Sequence, residues 1–591
     1  MLVSQFRSVA KRQASSAAIV EKSAIYTYSE LDSSTDMIAQ ALIREGVERG
    51  AHVGLLIGRS ADFVKAVLGI LKAKGVYVPI DSVLPRKRIH YIVEDSGIEY
   101  LLVVRTLIGT KIVNSLVELG VKILVLEDLL DNSSCIEEGS LSDLSADSGD
   151  VTSCLIYTSG TTGEPKGILI PHRGIIQLVV GQGSIPIVPK DCFGHGTNCS
   201  FDASILEIWG ALLNGAKLAV LDNETISSAA LLTDSIAKHS INRLFLTPAL
   251  FYEYVLEGVD FSALDSLILG GEVLNPKIVA QAFNEGLVRP GCLINGYGPA
   301  EATACTTTFQ AKALSFSGES VPIGKPIDGA EVYVLDEQMN PVAQGDAGEL
   351  YIGGSGVANG YWNRPDLTKE RFLPNVFSPN KQGMLYRTGD FVRCLPCGNL
   401  DFIGRKDNQV KIRGFRIELD GIENRLNQLP GVQSSCVHLH VCDRGNKQIV
   451  AHIVPCEAPF YSLQELREKL RSVIPEYMIP NKFFLLESMP ITQNGKINRN
   501  VLKAFPGKPL RGSNAYVAPE TKQELILHKI WQFIFNREDI GISDNFFELG
   551  GDSINAIEMI DEAKKMDMDL DISCLFFAPT IRQLALSLMK N

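Results

Sequence analysis

Tyr157-Thr-Ser-Gly-Thr-Thr-Gly-Glu-Pro-Lys-Gly167 decides how the rest of the chain is read. Ser159, Thr161 and Thr162 bring hydroxyl donors, and Gly160, Gly163 and Gly167 let backbone N–H groups approach an anion with no Cβ in the way. Lys166 adds a full positive charge, so the run is built to hold phosphate. The apolar Cys154-Leu155-Ile156 before it reads as a strand end, which places the loop at a sheet edge where nucleotides bind in α/β folds. It is not the usual P-loop, because Lys166 lies between Pro165 and Gly167 rather than before Ser or Thr.

Working outward, Val53 to Ile57, Ala61 to Lys74 and Val76 to Ile80 read as strand, helix and strand. The alternation recurs at Leu101 to Val104, Ile123 to Leu126, Lys217 to Leu221, Arg243 to Thr247 and Ser266 to Leu269, which predicts a large α/β region with parallel sheets. Acidic, serine-rich Glu137 to Asp150 reads as an exposed loop. After Pro322, glycine-punctuated alternation at Glu331 to Asp336 and Gly348 to Gly354 predicts an antiparallel subdomain. A basic, strand-rich segment runs from near Asp407 to about Arg499. Residues 506–519, rich in Pro and Gly and without periodicity, read as a linker. Beyond them, Leu525, Ile526, Lys529, Ile530, Phe533 and Ile534 make a helical stripe, and further helices are expected at Ser553 to Lys565 and Thr580 to Met589.

Composition sets the class. The 591 residues are 45% hydrophobic and 21% charged, as in ordinary globular proteins of several domains. Fifty-six basic against sixty-eight acidic residues leave a net charge of −12, which argues against wholesale binding to nucleic acid or an anionic membrane. No apolar run approaches the roughly 20 residues that cross a bilayer. The 12 cysteines are scattered; Cys394 and Cys397 alone are two residues apart, and without a second pair they read as part of a loop with Pro396 and Gly398 rather than as zinc ligands. Scattered thiols fit the reducing cytoplasm. Met1 to Val20 carries Arg7, Lys11 and Arg12 without an acid, like a transit peptide, yet Leu2, Val3, Phe6 and Val9 fall at helical spacing, and an ordinary first helix is preferred.

Other motifs join the loop: Asn295-Gly-Tyr-Gly-Pro-Ala-Glu301, Tyr386-Arg-Thr-Gly-Asp390, Gly404-Arg-Lys-Asp-Asn-Gln-Val-Lys-Ile-Arg-Gly414 and Asn494-Gly-Lys-Ile-Asn-Arg499. Together they resemble the adenylation domains of nonribosomal peptide synthetases, within the adenylate-forming superfamily. The likeness extends from Tyr26-Thr-Tyr-Ser-Glu-Leu31 through Leu71 to Asp81, Phe201-Asp-Ala-Ser204, Gly348-Glu-Leu350 and Ile474 to Pro480, so order and spacing carry it. At the C-terminus, Asp544-Asn-Phe-Phe-Glu-Leu-Gly-Gly-Asp-Ser-Ile554 resembles the phosphopantetheine attachment motif of peptidyl carrier proteins, with Ser553 the modified residue. The resemblance implies an adenylation core over 1–404, a mobile α+β subdomain over 405–505 hinged near Asp407, the linker, and a four-helix-bundle carrier over 520–591.

Implied with it is a reaction in which an amino-acid carboxylate attacks the α-phosphorus of ATP, so the site must screen two anions and stabilise phosphoryl oxygens. By resemblance the loop from Ser159 to Lys166 holds the β- and γ-phosphates, Glu301 holds Mg²⁺, and Lys496 bridges the substrate carboxylate and the α-phosphate. Tyr297 offers a face to adenine and Asp390 accepts the ribose hydroxyls, with Arg405 adding a ribose or phosphate contact. Thr158, Asn295, Gly296, Gly298 and Phe402 are placed around the same nucleotide. The family has threonine where this chain has Ala300; losing one neutral hydrogen bond is worth on the order of 1 kcal/mol, which predicts a slower enzyme.

Asp202 of the Phe-Asp-Ala-Ser motif is the residue that pairs with a substrate α-ammonium in amino-acid-activating members. Its motif-aligned companions, Ala203, Leu206, Phe245, Ile268, Gly270, Gly296, Ala304 and Cys305, are apolar or small. A charged side chain would be buried there without a partner, so a neutral hydrophobic amino acid is expected, branched aliphatic ahead of methionine or phenylalanine. The implied partners are a phosphopantetheinyl transferase acting on Ser553 and downstream biosynthetic domains or enzymes of secondary metabolism. Need for a small activating partner protein stays open.

Overall fold

A computed structural model describes residues 1–131, 149–160, 163–312, 320–378, 383–412, 414–441, 447–456, 460–490, 497–504, 507–510, 517–535, 537–538, 540–546, 549, 551, 553–566, 568, 570, 575 and 578–588. The chain divides into two compact units, the first Met1–Gly160 with Glu164–Arg416 and the second made mainly of Ile417–Asn591.

The first unit is layered around two largely parallel sheets. Among the described residues one has the strand order Lys122–Val125, Tyr100–Val103, His52–Leu56, Val76–Pro79, Thr152–Thr158, Lys166–Pro171, parallel until the last pair. The expected strand, helix and strand after Val53 are observed as His52–Leu56, Ala61–Lys72 and Val76–Pro79. Ser60 caps the helix by accepting from Phe63 N–H at 3.2 Å. It stops two residues before Lys74, which adopts a positive φ of 62°. Lys72 is 1% exposed, and its Nζ is held 2.6 Å from Asp32 and 2.8 Å from Asp36, so that a buried charge is paired. The second sheet carries, side by side and parallel, Arg243–Leu246, Ser266–Gly270 and Leu293–Tyr297. Residues 2–12 form the expected first helix, with Leu2, Val3, Phe6 and Val9 buried in the main core. As predicted beyond Pro322, Ala330–Leu335, Ala347–Gly354, Met384–Cys394, Phe372–Pro374 and Leu400–Arg405 make an antiparallel sheet.

The units part between Arg416 and Ile417, whereas the sequence reading sets the boundary at 404/405. Within 405–416, Arg405 is ion-paired to Asp390 and Arg416 to Glu301, both inside the first unit.

In the second unit Val432–Val441, Lys447–Pro455 and Lys482–Leu485 form a sheet with helix Leu419–Asn427 packed on its first strand. Lys508–Pro509 adds an edge strand to Lys482–Leu485, and Leu510 N–H donates to Phe483 O at 2.9 Å. The stretch read as linker is therefore partly ordered; an edge position tolerates proline, which has no N–H to offer the ladder. Among the described residues beyond 517, helices Lys522–Phe535, Ser553–Lys565 and Ile581–Leu588 surround a core that includes Trp531, Phe546, Met559 and Leu584. No helix among the described residues is long and apolar enough to cross a membrane.

The same unit contains a pair of stacked imidazoles. His438 and His452 lie on neighbouring strands with ring centroids 5.0 Å apart, and His452 is fully buried. Nδ1 of His438 and both ring nitrogens of His452 lack hydrogen-bond partners. Burial pushes both down to about 4, and His452, Lys503, His440 and Arg499 press further on His438. A histidine protonating near 6.5 when unfolded but near 4 when folded leaves stability intact above 6.5 and removes it as pH falls through that interval, about 3 kcal/mol for one such group. The thermal midpoint of this unit is expected to drop steeply between pH 6.5 and 4. His452→Phe, beside Phe484, should flatten the profile; an equally steep profile in that variant would refute the assignment.

Candidate active site

The phosphate-type loop proves to be a hairpin. Thr152–Thr158 and Lys166–Pro171 are antiparallel, with Thr158 opposite Lys166, so the loop returns into a strand instead of entering a helix as in a P-loop. Thr161 and Thr162 lie outside the described residues. Thr158 Oγ1 is buried with no partner, a donor left for a ligand. Ser159 Oγ donates to the carbonyl of Arg416. Gly160 is buried and Gly163 sits at φ 89°.

Glu301, 0% exposed, is the electrostatic centre of the site. Tyr361 donates to Oε1 at 2.7 Å, Lys166 Nζ lies 3.6 Å from Oε1, and Arg416 Nη1 lies 2.5 Å from Oε2. Burial pushes the carboxyl up, but Arg416, Lys166 and Tyr361 outweigh it and hold the group well below the usual carboxylate range. Glu301, the residue expected to hold Mg²⁺, is thus kept ionised with both of its oxygens engaged by groups of the protein. Neighbouring Ala300 is buried on the same short 3₁₀ turn.

A second anion, Asp390, is 6% exposed on strand Met384–Cys394. It takes hydrogen bonds from the Tyr297 hydroxyl and the Arg405 guanidinium, and its own N–H donates to Thr388 Oγ1 at 2.9 Å. Arg405 also reaches Asp407 with two bonds of 2.7 and 2.9 Å, so the proposed hinge carboxylate is ion-paired within this unit. Phe402, half-buried on the adjoining strand, packs against the main core. Asn295 donates to the carbonyls of Val321 and Pro322, at 3.3 and 2.8 Å, anchoring the loop behind the nucleotide motif. At Gly298 a Cβ would stand 2.5 Å from Ala304 O, so only glycine fits that turn.

Three parallel strands bring four of the expected pocket positions into register. Phe245 pairs with Ile268 and Gly270 with Gly296. A Cβ on Gly270 would lie 3.1 Å from the Phe245 ring, and one on Gly296 would lie 3.4 Å from Cys305 Sγ. Leu206, Ile268 and Cys305 are buried in one core cluster, with Phe245, Tyr297 and Ala304 packed against it. Asp202 and Ala203 open helix Ala203–Leu212, which carries Leu206. Burial pushes the Asp202 carboxyl up, and Lys411 opposes that most strongly. Burial in turn lowers the Lys411 ammonium, which feels both Asp390 and Asp202.

Lys496 lies outside the described residues. Ser553 opens helix Ser553–Lys565. Lys411, Arg416 and Tyr361 carry no role in the sequence reading; Lys411 lies inside the quoted 404–414 segment and Arg416 two residues beyond it, and that basic run was the available signal.

A glycine- and hydroxyl-rich loop whose lysine meets an ionised buried carboxylate, with Asp390 held by Tyr297 and Arg405, is the arrangement expected of an adenylating ligase. Comparison with known proteins gives its family. The AMP-binding enzyme family matches residues 6–362, its C-terminal domain 421–496, and the phosphopantetheine attachment site 526–588. The chain belongs to the AMP-binding enzyme family and is an adenylation domain followed by a peptidyl carrier domain of the nonribosomal peptide synthetase kind. Its cofactors are ATP, Mg²⁺ and 4′-phosphopantetheine. It is 40% identical over 587 residues to malpibaldin synthetase of Mortierella alpina, and 36% identical over 589 residues to tyrocidine synthase 3 of Brevibacillus parabrevis. Each alignment covers 99% of the chain, but only 10% of the first relative and 9% of the second. A solved nonribosomal peptide synthetase protein with adenylation and carrier domains, bound to a vinylsulfonamide inhibitor, superposes with TM-score 0.82 at 26% identity, covering 100% of this chain and 96% of that one.

Proposed function

We propose that this chain activates a neutral hydrophobic amino acid, branched aliphatic before others, as aminoacyl-AMP and loads it onto its own carrier at Ser553, in the cytoplasm, as one step of nonribosomal peptide assembly. The observation that carries the reading is Asp202, a half-buried carboxylate whose pKa burial raises, at the start of the helix that carries Leu206, while Leu206, Ile268 and Cys305 are buried in one apolar cluster with Phe245 packed on it. Such a carboxylate is costly without a cation, and an α-ammonium supplies one.

In this reading Lys166 and the hydroxyls of 158–162 receive the β- and γ-phosphates, Tyr297 lies along adenine, and Asp390 exchanges its Tyr297 and Arg405 contacts for shared bonds to the ribose. Glu301 would hold Mg²⁺, which neutralises phosphate charge when bound. To Lys496 falls the role of stabilising the charge that develops as the carboxylate attacks the α-phosphoryl group. A phosphopantetheinyl transferase modifies Ser553, and the thiol so supplied accepts the aminoacyl group; downstream domains then consume it.

ATP–pyrophosphate exchange across a panel of amino acids tests the proposal. Valine, leucine or isoleucine should give the strongest signal, and charged amino acids none. Exchange only with a charged amino acid or an aryl acid would refute it. No exchange with any acid would favour a scaffold role for a fold silenced at Ala300.

A further inference from the structure

Glu301 carries one negative charge and faces two cations. Lys166 Nζ stands 3.6 Å from Oε1 and also lies 4.8 Å over the Tyr361 ring, whereas Arg416 holds Oε2 at 2.5 Å. The side chain of Arg416 is 13% exposed, so the pair is poorly screened by solvent. A divalent cation entering this cluster would meet two like charges around a single carboxylate, and at such separations that repulsion is large. One cation must yield an oxygen. Lys166 is the more distant and keeps an aromatic face; Arg416 holds Oε2, whereas Tyr361 and Lys166 both meet Oε1.

Arg416 has a second contact that points the same way, since its backbone carbonyl accepts the Ser159 hydroxyl of the phosphate-type loop. One residue thus occupies both the metal carboxylate and a hydroxyl donor of the nucleotide loop.

We propose that Arg416 is the resident counter-ion of Glu301 and competes with the divalent cation for it, so that metal–nucleotide binding and release of Ser159 toward phosphate are coupled through displacement of this one residue. The inference rests on the nucleotide reading of the site and concerns a residue to which that reading gives no role. Arg416 acts here through Glu301 and Ser159, as a positioning residue. In the metal-free protein it keeps a buried carboxylate from standing without a partner.

The test uses the full chain, Mn²⁺ as the probe and α,β-methylene ATP as a nucleotide that cannot react, with free Mn²⁺ read by electron paramagnetic resonance. Arg416→Met should bind Mn²⁺ about tenfold more tightly than the unsubstituted chain, and Arg416→Lys close to it. Mg²⁺ alone should raise the thermal midpoint of Arg416→Met more than that of the unsubstituted chain. A merely structural arginine predicts the opposite, weaker metal binding once it is removed. Equal or weaker Mn²⁺ binding by Arg416→Met would overturn the inference while leaving the function standing, provided the unsubstituted chain still exchanges pyrophosphate. Should Arg416→Met not fold, Arg416→Gln is read by the same criterion. No binding of Mn²⁺ and nucleotide by the unsubstituted chain would sink both.

Discussion

Lys496→Ala is expected to lower amino-acid-dependent ATP–pyrophosphate exchange about 10³-fold, the scale on which one preorganised stabiliser of developing charge acts. Lys166 and Arg416 face Glu301, Arg405 is divided between Asp390 and Asp407, and Lys411 lies between the fields of Asp202 and Asp390. Each of these cations already answers a carboxylate of the protein. A substrate carboxylate meeting an α-phosphoryl group brings further negative charge, and the family resemblance assigns that charge to Lys496, which lies outside the described residues. A chemically supplied aminoacyl adenylate should still load the carrier of the variant, because the adenylation step has been bypassed. Retained exchange would contradict the role given to this lysine.

Ser553→Ala should leave exchange within about twofold of the unsubstituted chain and abolish covalent loading of amino acid. Ser553 is the first residue of its helix, so its main chain sits where the carrier begins a new element. Alanine is at least as good a helix former as serine at the first position of a helix, so the substitution leaves intact a core built on Trp531, Phe546 and Met559. The two activities should therefore separate cleanly, one lost and the other kept. Stable attachment of labelled amino acid to the variant would refute the carrier assignment.

Much of this architecture was legible locally. The buried positions of the first helix, Leu2, Val3, Phe6 and Val9, follow from 3.6-residue spacing, and the parallel strands at 243–246 and 266–270 announce themselves as short apolar runs. What sequence could not give is partnership across distance. Arg416 and Tyr361 meet Glu301 from 115 and 60 residues away, and no local pattern marks either of them as its counterpart. The hairpin at Thr158 and Lys166 was hidden for a related reason: glycine and hydroxyl content suits a phosphate loop whether a strand or a helix follows. The first compact unit runs on to Arg416, past the 404/405 division of the sequence reading, and Arg405 and Arg416 are ion-paired within it to Asp390 and Glu301. The short edge strand at Lys508–Pro509 was missed because proline suppresses a strand reading except at an edge, and edges are set by tertiary pairing.

The most direct test of the account is the intact mass of the full chain after incubation with a phosphopantetheinyl transferase and coenzyme A, then with ATP, Mg²⁺ and an equimolar mixture of amino acids. Two successive gains are predicted, first one phosphopantetheine and then one branched aliphatic aminoacyl group, the second lost on treatment with hydroxylamine. A chain that takes up phosphopantetheine yet gains no aminoacyl mass from any amino acid would contradict the claim that it loads its own carrier.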